Sequence, residues 1–367
     1  MVETIHEQKF VTKEQVSIPE LTGKLKGEKL DMVMSRSVWS MTEDGEIFLP
    51  GLRSSTYGNN PVFAATGWAH GQIAEKLDIP KRYYDRMLVE DPSLLARNVN
   101  TWRQKTQEQS NLIRTLNGTV RAFVSDKFRC LDNYEVLVAV ANAAMNIAPG
   151  IACKRAYVTE RSMNVELVDS SAVYYIDPQG NADPYYPALS IVNSEVGYRA
   201  FEIRASFWRQ VCSNGMMREF GFRQVHLGGR AEEGDYWSQN TIRLNDATTL
   251  SKIQDFTAKA LGVEYIKQGI RQLRGLKEQR IEQPIKFVLA SKKILSLTEP
   301  ETDSILKLLE GNTRYDYVQA LTATAQIHIT DNAETLPERK TEIEEIAGRL
   351  VEHPEAWKQI ERAAATE

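Results

Sequence analysis

The fold is decided by the stretch from Ser190 to Met217, which reads SIVNSEVGYRAFEIRASFWRQVCSNGMM. Two runs in it are rich in β-branched and aromatic residues, a composition typical of strands. Asn193-Ser194 and Asn214-Gly215 supply turn chemistry, because Asn and Gly adopt a positive φ at low cost. The stretch therefore predicts a hairpin or strand–turn–strand unit at the centre of a sheet.

Arginines are interleaved with the aromatic residues of this stretch, at Arg199, Arg204 and Arg209. The strand–turn–strand interpretation expects them to carry positive charge on one face. Successive side chains of a strand point to opposite faces, so an unbroken strand would put Arg204 on the other side from Arg199 and Arg209. A bend or bulge near Ala205-Ser206 is needed to align all three.

Length and composition bound the class of protein. The 367 residues suffice for one large domain or two ordinary ones, and 42% of them are hydrophobic, enough for a sizeable core. The net charge is −4, which argues against a bulk cationic coat and leaves a local basic groove open. Three scattered cysteines and the lack of a run of about 18 apolar residues predict a cytoplasmic protein without a membrane partner.

Residues 97–135 form a second informative stretch, in which seven Lys or Arg accompany four Asp or Glu. Leu112–Leu116 and Thr119–Val124 read as strands, and the Asn117-Gly118 dipeptide between them is a strong hairpin signal. An apolar helix is expected from Asp132 to Ala144, with Asp132 or Asn133 as its N-cap.

Helical spacing of apolar residues marks most of the remaining chain. It predicts two short helices within Thr66–Leu88, broken at Asp78-Ile79-Pro80, and a long helix from Ala247 to Ile281. Further helices are expected over Ile285–Leu297, Glu301–Leu309 and Tyr315–Gln326. The pattern predicts an α+β fold, with a mostly antiparallel sheet packed by helices and followed by a helical C-terminal part.

Four segments follow from these patterns. We expect a flexible N-terminal segment at 1–35, an α+β core domain at 36–246, a helical region at 247–330, and an acidic C-terminal tail or helix at 331–367.

The sequence lacks the phosphate-loop, dinucleotide-binding, zinc-protease and nucleophile-elbow motifs, so we predict no catalytic residue, metal or cofactor. Glu166 and Asp169 on one β run suggest a metal-dependent nuclease, but acidic residues on a solvent-facing strand explain them equally well. His226 beside a Gly-Gly pair is interpreted as a loop or core histidine. Cys212 is interpreted as a small buried hydrophobe rather than a nucleophile.

Arginines interleaved with aromatic residues favour single-stranded nucleic acid, since cations follow the phosphates and rings stack on bases. Core aromatics and solvent-facing arginines are the alternative explanation. The predicted nucleic-acid-binding residues are Arg114, Arg121, Lys127, Arg129, Arg199, Arg204, Arg209, Trp102, Phe128 and Trp208.

Two patterns, Ser-Asp-x-x-Arg-x-x-Asp-Asn at 125–133 and Arg-x-Val-Cys-x-Asn-Gly at 209–215, resemble the phage/plasmid-like proteins of the domain-of-unknown-function family 932. The resemblance covers about Gly67 to Gln254 and implies a mobile-element origin, without an established activity. The order of strands and helices is also similar to the ring-forming single-strand annealing proteins of the RAD-fifty-two-like superfamily, from which no site is carried over.

These observations lead to three hypotheses. The first is a non-catalytic, homo-oligomeric single-stranded DNA-binding protein of the annealing type, which assists recombination or replication of a phage or plasmid. The second is a metal-dependent nuclease that uses Glu166 and Asp169. The third is a structural or assembly protein of a mobile element that has no nucleic-acid role.

Overall fold

The computed structural model describes residues 10–12, 17–53, 60–106, 108–177, 184–209, 214–226, 239–326 and 336–366. The strands are β1 Phe10–Thr12, β2 Met32–Ser35, β3 Ser40–Met41, β4 Ile47–Phe48, β5 Val62–Ala65, β6 Ser110–Leu116, β7 Thr119–Ser125, β8 Ile151–Val158, β9 Met163–Asp169, β10 Tyr174–Tyr175, β11 Pro184–Asn193, β12 Phe201–Arg209 and β13 Asn214–Gln224. The helices are α1 Ile18–Leu25, α2 Gly67–Lys76, α3 Lys81–Glu90, α4 Pro92–Lys105, α5 Asn133–Ile147, α6 Gln239–Ala260, α7 Val263–Lys277, α8 Pro284–Ile294, α9 Glu299–Leu308, α10 Arg314–Thr324, α11 Leu336–Glu352 and α12 Pro354–Thr366.

The large sheet contains seven strands in the order β1-β8-β9-β11-β12-β13, with β10 paired to β11. All of its pairs are antiparallel. One face is apolar, and Leu167, Ile191 and Ile203 pack there in one core with residues of α1, α5 and α6. The opposite face carries polar side chains, among them Glu166 and Arg204. The predicted α+β class is confirmed.

The stretch from Ser190 to Met217 supplies the end of β11, all of β12 and the start of β13. The strand–turn–strand prediction is therefore confirmed for β11 and β12. Asn214-Gly215 is not the predicted turn, because the two residues pair with Arg209 and Trp208 as the first residues of β13. The connection at 210–213, which includes Cys212, lies outside the described residues.

The small sheet contains six strands in the order β2-β6-β7-β5-β4-β3. The Asn117-Gly118 turn joins β6 to β7 with φ values of 48° and 76°, so the hairpin prediction is confirmed. β5 pairs with β7 in parallel, while the other pairs of this sheet are antiparallel. The helices α2, α3 and α4 cover the sheet through a core that includes Ile73, Tyr84 and Val99.

The C-terminal helices α7 to α12 form a bundle around the buried Trp357. Phe287 and Tyr317 contact this ring at centroid distances of 5.8 and 5.9 Å. Tyr185 and Phe207 of the large sheet belong to the same core and anchor the bundle on the sheet. Within the described residues, none of the helices combines the length and apolarity that a membrane crossing requires.

The segment boundaries of the fold differ from the expected ones. Residues 17–35 are folded, because Ile18 and Leu21 of α1 are buried against α5. The long helix expected from Ala247 to Ile281 is two helices, which break at Gly262, and the boundary expected at 246/247 falls inside α6. The acidic segment forms α11 and α12, which share one core with α7 to α10.

Candidate nucleic-acid interface

The structure divides the predicted nucleic-acid-binding residues among several environments. Arg114 and Arg121 are buried at the junction of the two sheets. Arg199 and Arg204 lie together at a surface groove, and Phe128 lines the same groove. Of the remaining five residues, Lys127 and Arg129 lie in the loop after β7, Trp208 and Arg209 lie at the end of β12, and Trp102 lies on α4.

Arg114 is the centre of a buried charge cluster. Its Nη2 lies 2.7 Å from a carboxylate oxygen of Asp31, before β2, and 2.7 Å from one of Asp132, at the start of α5. Its Nη1 donates a hydrogen bond of 2.8 Å to the backbone oxygen of Glu195, in the turn between β11 and β12. Burial would lower the pKa of Arg114, but Asp31 and Asp132 raise it above its ordinary value. The guanidinium is thus held charged by partners from three separate elements.

Arg121 completes this cluster through the carboxylate of Glu195, which also lies 3.1 Å from the ammonium of Lys29 and accepts a 2.7 Å hydrogen bond from the backbone N–H of Asn133. The phosphate-binding role predicted for Arg114 and Arg121 is therefore wrong. Both side chains are buried against acids of the chain itself, so they fix the two sheets to each other rather than face a ligand.

Glu195→Gln is expected to remove stability that depends on pH. Burial alone would raise the pKa of Glu195, but Arg121, Lys29 and Arg114 lower it to about 2. A folded-state pKa below the unfolded value of about 4.3 stabilises the protein above pH 4.3, and this stability is lost as pH falls toward 2. We expect the variant to be less stable than the parent by about 3 kcal/mol at pH 7.

Urea unfolding of both proteins between pH 7 and pH 2.5 measures this difference. The gap between the two free energies of unfolding should close as pH falls below about 4.3. A gap that stays constant with pH would contradict the assignment. Glu264→Gln, on the exposed side of α7, is the matched control and should leave the free energy of unfolding unchanged.

Trp102, Trp208 and Arg129 contact other parts of the chain and line none of the three cavities described below. Trp102 is 44% exposed on α4, where the ammonium of Lys105 lies 4.2 Å from its ring centroid. Trp208 lies under the guanidinium of Arg155 at 4.6 Å. Arg129 donates a 2.8 Å hydrogen bond to Thr249. These contacts hold their side chains within the fold or on another face.

Three arginines pair with two carboxylates on the polar side of β12 and β13, and a fourth arginine lies beside them. Arg204 and Arg223 each donate to Glu202 at 2.9 Å. Glu345 of α11 lies 3.6 Å from Arg199 and 3.9 Å from Arg204. Arg349, one turn further along α11, is exposed beside them. We call Arg199, Arg204, Arg223 and Arg349 the arginine cluster, which leaves two formal positive charges uncompensated by Glu202 and Glu345.

Arg199, Arg204 and Arg209 do not all lie on one face. Pairing of β11 with β12 runs without a shift from Glu202 to Arg209, so Arg204 and Arg209 point to opposite faces. The irregularity near Ala205-Ser206 lies in the pairing with β13, where β13 contains the extra residues. Arg199 joins Arg204 because it lies in the turn before β12.

Three cavities follow one another along this surface, and together we call them the groove. A cleft of about 510 Å³ is lined by Lys76, Phe128, Arg199, Arg223 and His226. A cavity of about 340 Å³ shares Arg223 with the cleft. A third cavity, of about 530 Å³, shares Glu345 and Arg349 with the second and runs along α11.

His226 lines the cleft next to Phe128. Its ring stacks on Phe128 with a centroid distance of 5.0 Å and an interplanar angle of 12°, and its Nδ1 lies 3.0 Å from the backbone oxygen of Arg129. Burial lowers its pKa, and the hydrogen bond to Arg129 opposes this effect. The interpretation of His226 as a core histidine is confirmed.

Lys76, Arg223 and Arg349 are groove residues that sequence reasoning missed. Lys76 ends α2, Arg223 lies near the end of β13, and Arg349 belongs to the acidic segment. Only the run from 218 to 223 offered a local signal, since its two arginines flank Phe220 and Phe222 as arginines accompany the aromatic residues of β12.

The two carboxylates of the nuclease hypothesis do not form one site. Glu166 and Asp169 have opposite parity on the regular strand β9, so they point to opposite faces of the sheet. Glu166 pairs with Arg155, and Asp169 accepts a hydrogen bond from Ser171. The described part of the chain also holds no group of three or more His, Cys, Asp or Glu placed to bind a metal ion.

Comparisons of the chain with protein-family models, with curated proteins and with solved structures each found no match. The resemblance to the phage/plasmid-like family therefore stays a prediction from the two sequence patterns.

Proposed function

We propose that the protein binds single-stranded DNA along the groove and does so without catalysis. The observation that carries this proposal is the arginine cluster, in which Arg199, Arg204 and Arg223 pair with Glu202 and Glu345 and Arg349 is exposed beside them. Guanidinium groups bind phosphate oxygens in a bidentate manner, and their release of counterions supplies most of the affinity for a nucleic-acid backbone. Lys76 adds a further cation across the cleft.

Aromatic side chains accompany these cations. Phe128 is partly exposed in the cleft, and Tyr198, next to Arg199, is 36% exposed. The ring of Tyr198 contacts that of Trp68 edge-to-face at 5.3 Å, which orients it. Stacking of bases on such rings is tolerant of sequence, so the groove suits a single strand with splayed bases better than a duplex.

Arg223→Ala is expected to weaken binding of a fluorescein-labelled 20-nucleotide single strand about three- to tenfold at low salt. Arg223 is 66% exposed and lines two of the three cavities, so its loss removes a phosphate contact without disturbing the core. Fluorescence anisotropy at several salt concentrations measures the affinity. The slope of log K against log salt should become shallower by about 0.7.

Arg271→Ala is the matched control, since Arg271 is equally exposed but lies on α7 away from the groove. It should leave both affinity and slope unchanged. Absence of binding by the parent protein at low salt, or binding without a salt slope, would overturn the proposed function. An equal loss of affinity in the two variants would mean that the strand binds to a different surface.

We further propose that this binding assists recombination or replication of a phage or plasmid and that the protein acts as a homo-oligomer. The first proposal rests on the two sequence patterns, and the second on the similarity of the strand and helix order to that of ring-forming annealing proteins. Light scattering with and without the oligonucleotide tests the second one. Discrete oligomers that do not respond to DNA would favour the assembly-protein hypothesis instead.

A further inference from the structure

Of the two carboxylates beside the arginine cluster, Glu345 lies further from its arginine partners than Glu202 does. Its Oε1 is buried and has no hydrogen-bond partner in the described part of the chain. The distances of 3.6 Å to Arg199 and 3.9 Å to Arg204 exceed those of charge-assisted hydrogen bonds, which are about 2.7–2.9 Å. Burial raises the pKa of Glu345, although Arg204 and Arg199 lower it. The carboxylate of Glu345 thus lies where two guanidinium groups attract an anion, but it reaches neither of them at hydrogen-bond distance.

The second carboxylate, Glu202, differs in this respect. Its Oε2 lies 2.9 Å from Nη2 of Arg204, and its Oε1 lies 2.9 Å from Nε of Arg223. Glu202 is therefore a fixed part of the cluster, which orients the two guanidinium groups. Glu345 is the carboxylate that a better anion can replace.

Glu345 also lies where two cavities of the groove meet, because it lines both the second and the third cavity. A strand that runs along the groove passes directly over this side chain, and its phosphates would be repelled by the carboxylate. α11 itself need not move, since Ile343, Ile346 and Leu350 hold it in the core of the bundle. Rotation of one side chain is sufficient to clear the site.

We propose that Arg199 and Arg204 form a phosphodiester subsite and that the Glu345 carboxylate occupies this subsite until a nucleic-acid phosphate displaces it. This inference rests on the proposed function for the identity of the ligand. A phosphate brings oxygens that reach both guanidinium groups at hydrogen-bond distance, which the single carboxylate does not do. Glu345 thereby lowers the affinity of the groove and limits binding to ligands with closely spaced phosphates.

Glu345→Gln is expected to bind the same labelled single strand about tenfold more tightly than the parent, because one repulsive charge at a partly exposed site is removed. The salt slope should become steeper by about 0.7, the contribution of one more phosphate contact. Glu264→Gln is the control, since Glu264 is exposed on α7, pairs with Lys267 and lines none of the three cavities. It should not change the affinity. Where the parent binds the strand, unchanged or weaker binding by Glu345→Gln overturns the subsite.

A second measurement separates this inference from the proposed function. Inorganic pyrophosphate, titrated calorimetrically, should bind to Glu345→Gln at least tenfold more tightly than to the parent, and Arg199→Ala in the Glu345→Gln background should abolish the gain. If single-stranded DNA binds to neither protein but pyrophosphate shows this pattern, the proposed function fails and the anion subsite stands. If pyrophosphate shows no gain, the subsite is overturned whatever the DNA result.

Discussion

Arg114→Met is expected to lower the free energy of unfolding by about 3–5 kcal/mol, the cost of leaving buried charges without their partner. The side chain of Arg114 is only 1% exposed, and its removal leaves Asp31 and Asp132 facing each other at the junction of the two sheets. Methionine keeps most of the volume of the side chain, so the loss reports on charge rather than on a cavity. Urea unfolding followed by tryptophan fluorescence measures the change.

Two further variants sharpen this test. Arg86→Ala removes an arginine from an exposed (i, i+4) pair with Glu90 and should cost less than about 0.5 kcal/mol. Asp31→Asn added to Arg114→Met should recover part of the loss, because it removes the carboxylate whose ion pair with Arg114 is lost, whereas Asp132 keeps Lys29. A loss below about 1 kcal/mol for Arg114→Met would mean that the cluster contributes no more than a surface pair.

Trp357→Ala is expected to cost about 3–5 kcal/mol through the cavity it leaves in the helical bundle. The indole is 1% exposed and contacts Phe287 and Tyr317, and its Nε1 donates a 2.6 Å hydrogen bond to the backbone oxygen of Leu350. Guanidinium chloride unfolding, followed by circular dichroism at 222 nm, measures the loss of the bundle helices.

Trp102→Ala is the matched control for Trp357, because it removes the same side chain from an exposed position on α4. It should cost less than about 1 kcal/mol. Comparable losses in the two variants would contradict the placement of Trp357 at the centre of the bundle. The anisotropy titration with the labelled single strand checks whether Trp357→Ala still has a folded groove.

Elements specified by local chemistry were predictable from the sequence. The Asn117-Gly118 turn requires only that two adjacent residues accept a positive φ, and both do. Asp132 was correctly expected as the N-cap of α5, although its carboxylate binds Arg114 and Lys29 rather than a backbone N–H of the helix. The helix α4 was missed because Asn98 and Asn100 lower its propensity. Its start signals, Asp91 as N-cap and Pro92 at the first turn, were nevertheless present.

The division of the arginines into buried and exposed ones was not predictable from the sequence. Arg114 and Arg204 look alike in their local patterns, since each stands among strand residues. Whether such an arginine is buried depends on partners far away in the chain, such as Asp31, which lies 83 residues before Arg114. The groove likewise brings Lys76, Arg223 and Arg349 together from three distant elements. No spacing in the sequence predicts that these residues line one groove.

The contrast between the buried charge cluster and the arginine cluster has a practical consequence for purification. Dissolved salt screens exposed charges over about 10 Å at 0.1 M but has little effect on pairs that water does not reach. A wash with about 1 M sodium chloride should therefore strip polyanions from the groove while the cluster around Arg114 keeps the two sheets together. Ionic strength thus separates the protein from host nucleic acid without a denaturation step, and the ratio of absorbance at 260 and 280 nm before and after the wash reports how much the groove had carried.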